Sequence, residues 1–171
     1  ASSGSDCTIG DAFNGDAATV QGIEFLFTTD LSRTGNYNIP VTFTYTYIDS
    51  EFDSDVADTA FFGNVSEGDP IPYIPEHQFN LSVGFLKDQW SSHINVSFVD
   101  EVCVRASCNA FERTDDTLTV DLSTHYALSE KVDLYGKVEN ITGEEDILGR
   151  HPYGARPNKD RTATLGVRID F

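Results

Sequence analysis

The stretch that decides the fold is Gln78-Phe79-Asn80-Leu81-Ser82-Val83-Gly84-Phe85-Leu86, a break at 87–89, then Trp90-Ser91-Ser92-His93-Ile94-Asn95-Val96-Ser97-Phe98. Phe79, Leu81, Val83 and Phe85 alternate with Gln78, Asn80, Ser82 and Gly84. Trp90, Ile94, Val96 and Phe98 then alternate with Ser91, His93, Asn95 and Ser97. Successive side chains of an extended chain point to opposite faces, so this period of two describes a strand with one apolar and one polar face. Two such runs across a short polar break read as an antiparallel hairpin.

The same alternation extends outward in both directions. Upstream, 21–31 sets Ile23, Phe25, Phe27 and Leu31 against Gly22, Glu24 and Thr28, and 41–48 sets Val41, Phe43, Tyr45 and Tyr47 against threonines. Downstream, 117–128 sets Leu118, Val120, Leu122, Tyr126 and Leu128 against Asp121, Ser123 and His125. Residues 131–140 set Val132, Leu134 and Val138 against Asp133, Tyr135, Lys137 and Glu139, and 161–171 set Ala163, Leu165, Val167, Ile169 and Phe171 against Thr164, Gly166, Arg168 and Asp170. No sustained helical stripe interrupts these runs. The chain is predicted to be all-β and antiparallel.

Composition narrows the function classes. Among 171 residues there are 28 acidic and 11 basic side chains, a formal net charge of -17. Nucleic-acid binding needs the opposite balance, because Lys and Arg must replace phosphate counterions. With 39% hydrophobic and 12% aromatic residues the chain is too apolar for intrinsic disorder. No apolar run approaches the ~18 residues of a membrane-spanning helix, which says nothing of membrane β-barrels.

The connections choose between a soluble sandwich and a barrel wall, since both hide one face of each strand. Short ones (32–40, 87–89, 129–130) alternate strictly with long ones (49–77, 100–116, 141–160). Tight turns at one end and large loops at the other are the asymmetry of outer-membrane barrels. Aromatics near strand ends (Tyr47, Trp90, Tyr126, Phe171) match interfacial belts. On this reading Phe25, Phe43, Leu81, Val96, Leu122 and Val167 face lipid, stand abnormally exposed, and Glu24, Asp121, Lys137 and Arg168 face the lumen. Seven strands are an odd number, and an open sheet in hydrocarbon leaves unpaired edges. The chain, which lacks an initiator Met, therefore reads as a processed product or fragment: 1–19 the end of an extracellular loop, 20–171 the C-terminal strands and loops of a larger transmembrane β-barrel.

Three motifs carry a family resemblance. Ile71-Pro72-Tyr73-Ile74-Pro75-Glu76-His77-Gln78-Phe79 precedes a strand; Val138-Glu139-Asn140-Ile141-Thr142-Gly143 ends one; Gly149-Arg150-His151-Pro152-Tyr153-Gly154-Ala155-Arg156-Pro157 with Arg161-Thr162 leads into the last, which ends in Phe171. In this order the motifs resemble the C-terminus of TonB-dependent outer-membrane receptors and are most similar to the ferric dicitrate receptor branch. The resemblance implies a barrel of about 22 strands, with a plug domain and TonB box that this chain lacks. It further implies a Gram-negative outer-membrane location, uptake of a ferric chelate driven by the TonB–ExbB–ExbD complex, and contact with outer-membrane lipid and lipopolysaccharide. Phe171 becomes the signal read by the barrel assembly machinery. Uptake of cobalamin or carbohydrate, a structural or adhesive barrel, and an outer-membrane enzyme are the alternatives.

Site chemistry is sparse. His77, His93, His125 and His151 are scattered, and no Ser/His/Asp set stands at catalytic spacing, so no catalytic residue and no protein-held metal is assigned. Guanidinium forks suit carboxylate-bearing chelates; the substrate-binding candidates are Arg105, Arg113, Arg150, His151, Tyr153 and Arg156. The bland reading is that Arg156 and Arg161 anchor the last loop to acidic neighbours. Asp49, Glu51, Asp53, Asp55 and Asp58 offer oxygen ligands at spacings that suit a Ca²⁺ loop, or form a solvated acidic loop. Cys103 and Cys108 lack the Cys-x-x-Cys spacing and read as a loop disulfide of an oxidising compartment, or as two free thiols. Cys7 is left to a partner outside the chain.

Overall fold

The computed structural model describes residues 17–32, 35–59, 62–150 and 154–171. Cys7, His151 and Tyr153 lie outside the described residues. The elements in chain order are β1 (Ala18–Asp30), β2 (Pro40–Phe52), β3 (Val56–Thr59), β4 (Gly63–Val65), β5 (His77–Lys87), β6 (Trp90–Val99), β7 (Thr117–Ser129), β8 (Val132–Glu139), β9 (Ile147–Gly149), β10 (Arg156–Pro157) and β11 (Thr162–Ile169). Among the described residues the only helix is one 3-10 turn, Ala110–Glu112.

Seven strands form one antiparallel sheet in the order β1-β2-β5-β6-β7-β8-β11. Each pairs with the next long strand along the chain, so the sheet is a simple meander. The register keeps the two faces separate across its whole width. Phe25 opposes Tyr45, Phe43 opposes Leu81, Leu81 opposes Val96, Ile94 opposes Leu122, Leu122 opposes Val138 and Val138 opposes Ala163. On the other face Thr44 opposes Asn80, Asn80 opposes Ser97, Asn95 opposes Asp121, Ser123 opposes Lys137 and Asp133 opposes Arg168. A one-residue slip at any ladder would mix the faces.

Among the described residues no second layer covers the apolar face. Phe25 is 52% exposed, Val167 57% and Leu165 89%. Phe43, Leu81, Val96 and Leu122, expected to be equally bare, are half-buried instead. They sit on inner strands, where same-face neighbours on both sides shield them; Phe25 and Val167 sit on the edge strands β1 and β11.

The height of the apolar band is legible in the ladder. On β7 it runs from Leu118 to Tyr126, about 27 Å along the strand and about 21 Å upright at a ~40° tilt, near the ~25 Å band of outer-membrane barrels. Beyond Ile23 and Tyr47 the same face turns polar: Gln21 Nε2 donates to Asp49 Oδ2 at 3.0 Å, and Thr19 Oγ1 to Asp53 Oδ2 at 3.1 Å. Several polar atoms on the apolar face pair with one another, as atoms facing hydrocarbon would need to. Tyr45 Oη meets His77 Nδ1 at 2.9 Å at the loop end; Trp90 Nε1 donates to Ser92 Oγ, which meets Thr124 Oγ1, at the turn end.

Both β1 and β2 run further than the sequence pattern indicates. Ala18 and Thr19 belong to β1, and Asp49 and Glu51 are strand residues in place of the expected loop. The cause is mutual pairing, Gln21 with Asp49 and Thr19 with Glu51, which continues past the apolar band. The tight turns follow local chemistry. Asp88 takes a φ of 50° between Lys87 and Trp90, the left-handed geometry that a two-residue hairpin needs and Asp tolerates. Asp30 Oδ1 accepts from Ser32 N, Ser32 Oγ and Ile39 N, closing the 31–39 connection. On the polar face the Tyr135 ring lies over Gly166, where an added Cβ would come within 2.2 Å of it.

Candidate ligand-binding site at the loop end

The three long connections converge at one end of the sheet and hold one another. In the first, β3 and β4 form a small ladder whose Val56 and Val65 turn toward Phe52 and Ile71. In the second, Cys103 and Cys108 are joined, with Cα atoms 5.6 Å apart. The ring they close carries Val104 and Ala106, 2% and 0% exposed. Ala106 completes a core with Phe52 and Val65, packed by Val56, Phe62 and Ile71. Backbone bonds lock the two connections together: Ala106 N to Phe62 O at 3.2 Å and Tyr73 N to Cys103 O at 2.9 Å. Ser107 Oγ adds bonds to Asn64 O and Asp69 Oδ2, both 2.9 Å.

The second connection grips the third. Asp115 N donates to Ile147 O at 3.0 Å, and Ile147 N donates to Asp115 Oδ2 at 2.8 Å. The foot of the third is built on Asn140, 3% exposed with a φ of 51°. Its Nδ2 donates to Glu144 O and Lys159 O at 2.9 Å each, its Oδ1 accepts from Thr142 Oγ1 and Gly143 N, and its own N–H donates to Asp121 Oδ1. The Asn140 side chain thus ties both ends of 141–160 to the end of β8, and its backbone N–H ties that point to β7. Asp146 faces Asn158 across this connection. Burial, then the nearby Glu144, holds its carboxyl above the usual range, opposed by a Thr117 hydrogen bond.

The arginine candidates fall within this lobe. Arg105 lies in the disulfide ring, its Nε 3.8 Å from Glu112 Oε1. Arg113 pairs with Glu101 and stands opposite Cys103 across a β-bridge. Arg150 donates from Nε to the carbonyl of Arg113, so these two candidates from different connections are brought together. The Arg156 guanidinium lies over Gly149, where an added Cβ would meet Nη2 at 2.7 Å. Arg161 Nη2 donates to Thr142 O at 3.1 Å, a loop anchor, though its partner is a carbonyl and not the expected acid. Asp49, Asp53 and Asp55 accept hydrogen bonds from Gln21, Thr19 and Glu67 N respectively. Among the described residues no group of three or more His, Cys, Asp or Glu side chains is disposed to hold a metal ion.

Two features escape sequence reading. One is the Phe52–Val65–Ala106 core; its only signal is a pair of small apolar residues inside the cysteine spacing. The other is Asn140, whose motif marks a strand end but not a hub. Chemically, the lobe offers guanidinium groups that are held by carboxylates and carbonyls.

A meander with one lipid-type face, a polar opposite face, tight turns at one end and a built lobe at the other defines a class: the wall of a membrane β-barrel. Residues 2–141 match the family described as "TonB dependent receptor-like, beta-barrel". The chain belongs to that family. No curated protein sequence matches it. Among solved structures it is similar to the ferric yersiniabactin uptake receptor FyuA from Yersinia pestis, with a TM-score of 0.70 at 19% identity over 90% of this chain and 24% of that one. It is also similar to the ferric-catecholate import receptor Fiu from E. coli K12, with a TM-score of 0.68 at 21% identity over 90% and 21%. The outer membrane transporter YddB from Escherichia coli gives 0.63 at 14% identity over 90% and 26%. The chain thus spans about a quarter of these proteins. At such identities the likeness shows a shared fold.

Proposed function

We propose that this chain is part of the wall and outer rim of a receptor that imports a ferric chelate across a Gram-negative outer membrane. It acts as a transporter and not as an enzyme. The observation that carries the reading is the contact of the Arg150 guanidinium with the backbone of Arg113, which brings two arginine-bearing connections together at the loop end of a family barrel. Planar guanidinium forks recognise carboxylate and phenolate or catecholate oxygens, the groups that wrap ferric iron in soluble chelates. The field of a chain with net charge -17 opposes an anionic ligand, so capture depends on this local cluster and not on long-range steering. The family resemblance and the ferric receptors named above support iron over other nutrients, and the 149–162 motif supports a citrate-type chelate. His151, Tyr153, Arg105 and Arg156 complete the proposed contact set. Energy comes from the TonB–ExbB–ExbD complex acting on segments outside this chain; the barrel assembly machinery reads the strand ending in Phe171. Lipid and lipopolysaccharide cover the apolar face.

The test is uptake of ⁵⁵Fe by iron-starved cells that carry the full-length receptor as their only route. Ferric citrate uptake that requires TonB, and that falls when Arg113 and Arg150 are both changed to Gln, is the expected result. Uptake of a catecholate chelate alone would correct the citrate assignment; uptake of cobalamin or a sugar without iron would overturn the reading.

A further inference from the structure

We propose that the ring closed by Cys103 and Cys108 is the coupling element that makes the three long connections move as one body. Both neighbours attach to the connection that the ring closes, and to different parts of it. The first is held by the ring itself, through the Ala106 side chain in the Phe52–Val65 core, Ala106 N to Phe62 O, and Cys103 O accepting from Tyr73 N. The third is held by the arm beyond it, through the reciprocal Asp115–Ile147 bonds and Arg150 on the Arg113 carbonyl. The two attachments communicate through a short ladder inside the second connection: Val104 N to Glu112 O and Thr114 N to Val102 O, both 2.8–2.9 Å, around the Cys103–Arg113 bridge.

Without the covalent tie the ring is held only by a few hydrogen bonds and a small buried surface. Its buried content is one valine and one alanine, against the backbone entropy of six ordered residues. Asp55, Glu67 and Asp69 of the first connection and Asp115 of the second also carry like charge, which drives these two connections apart. A disulfide removes much of the entropy that the open ring would regain. Opening it frees Ala106 and Cys103 from the first connection and slackens the ladder that presents Asp115 to the third. The coupling is a property of the loops and holds whichever chelate the receptor takes.

The experiment is hydrogen–deuterium exchange on the full-length, membrane-inserted receptor carrying Cys7→Ser, without ligand, before and after treatment with a water-soluble phosphine. Reduction transfers two electrons from the phosphine, which becomes its oxide, and two protons from water, converting the disulfide to two thiols that are then alkylated. Exchange at least tenfold faster in both 62–73 and 145–149, with β5 to β8 unchanged, is the result expected. Acceleration confined to 103–112, or none anywhere, overturns the coupling. Reduction after insertion bypasses any folding defect, and the C103S/C108S double variant must repeat the same pattern.

Discussion

The wall and the loop lobe of this chain are specified in different ways. Along the wall each residue answers one binary question, lipid or lumen, and neighbours such as Ile94 and Asn95 give opposite answers. In the lobe, position is set by single residues with many partners: Asn140 fixes two chain ends, Ala106 closes a core and Asp115 bridges two connections. The wall therefore tolerates exchange within a class and fails across classes. The lobe fails at hubs and tolerates almost anything between them.

The largest effect should come from crossing the wall's binary. Ile94→Arg places a charge near mid-band, costing about 2–4 kcal/mol, whereas Asn95→Arg, one residue away and opposite Asp121, should cost less than about 0.5 kcal/mol. Urea unfolding of the full-length receptor in bilayers reads both; equal costs would break the distinction between faces. Next comes the lobe's hub. Asn140→Ala leaves the carbonyls of Glu144 and Lys159 without their side-chain donor and forces Ala into a left-handed φ, a loss of about 2–3 kcal/mol. Hydrogen exchange in 141–150 should then rise roughly thirtyfold while β7 and β8 keep native rates; loosening of the whole sheet would show that the hub serves the wall instead.

How far the sequence reading reached follows the same division. All seven wall strands and both faces were legible from alternation, because burial against lipid imposes a period of two on every residue. The overrun of β1 and β2 past the band was not, because Gln21 with Asp49 and Thr19 with Glu51 are polar pairs that look like loop. In the lobe the cysteine pair was legible from spacing, and the candidate arginines from residue type. Their arrangement was not, because contacts such as Arg150 with the Arg113 carbonyl join residues far apart in sequence through backbone atoms that carry no sequence signature.

Two smaller effects sharpen the comparison inside the lobe. Arg113→Gln should weaken binding of the ferric chelate about tenfold, roughly 1.4 kcal/mol, while leaving insertion and unfolding untouched; calorimetric titration with ferric citrate distinguishes this from a purely structural pairing with Glu101. The smallest effect is that of Asp146. Its carboxyl titrates above its ordinary range because of burial and Glu144, so the folded connection binds a proton more readily than the unfolded chain. The local fold should tighten as pH falls through that raised value and level off once the unfolded carboxyl, near pKa 3.9, is also protonated. Protection against exchange in 145–149, taken relative to the intrinsic rate at each pH, should rise accordingly, and Asp146→Asn should flatten that profile.

The central claim is that alternate residues of this sheet face lipid and lumen. A photo-crosslinking benzoylphenylalanine, placed singly at 94–98 and 118–122 of the full-length receptor in outer membranes, tests it directly. Adducts to lipid or lipopolysaccharide from Ile94, Val96, Phe98, Leu118, Val120 and Leu122, and none from Asn95, Ser97, Thr119 and Asp121, are what the account predicts. Adducts of equal yield from both sets, or protein adducts alone from the apolar set, would contradict it.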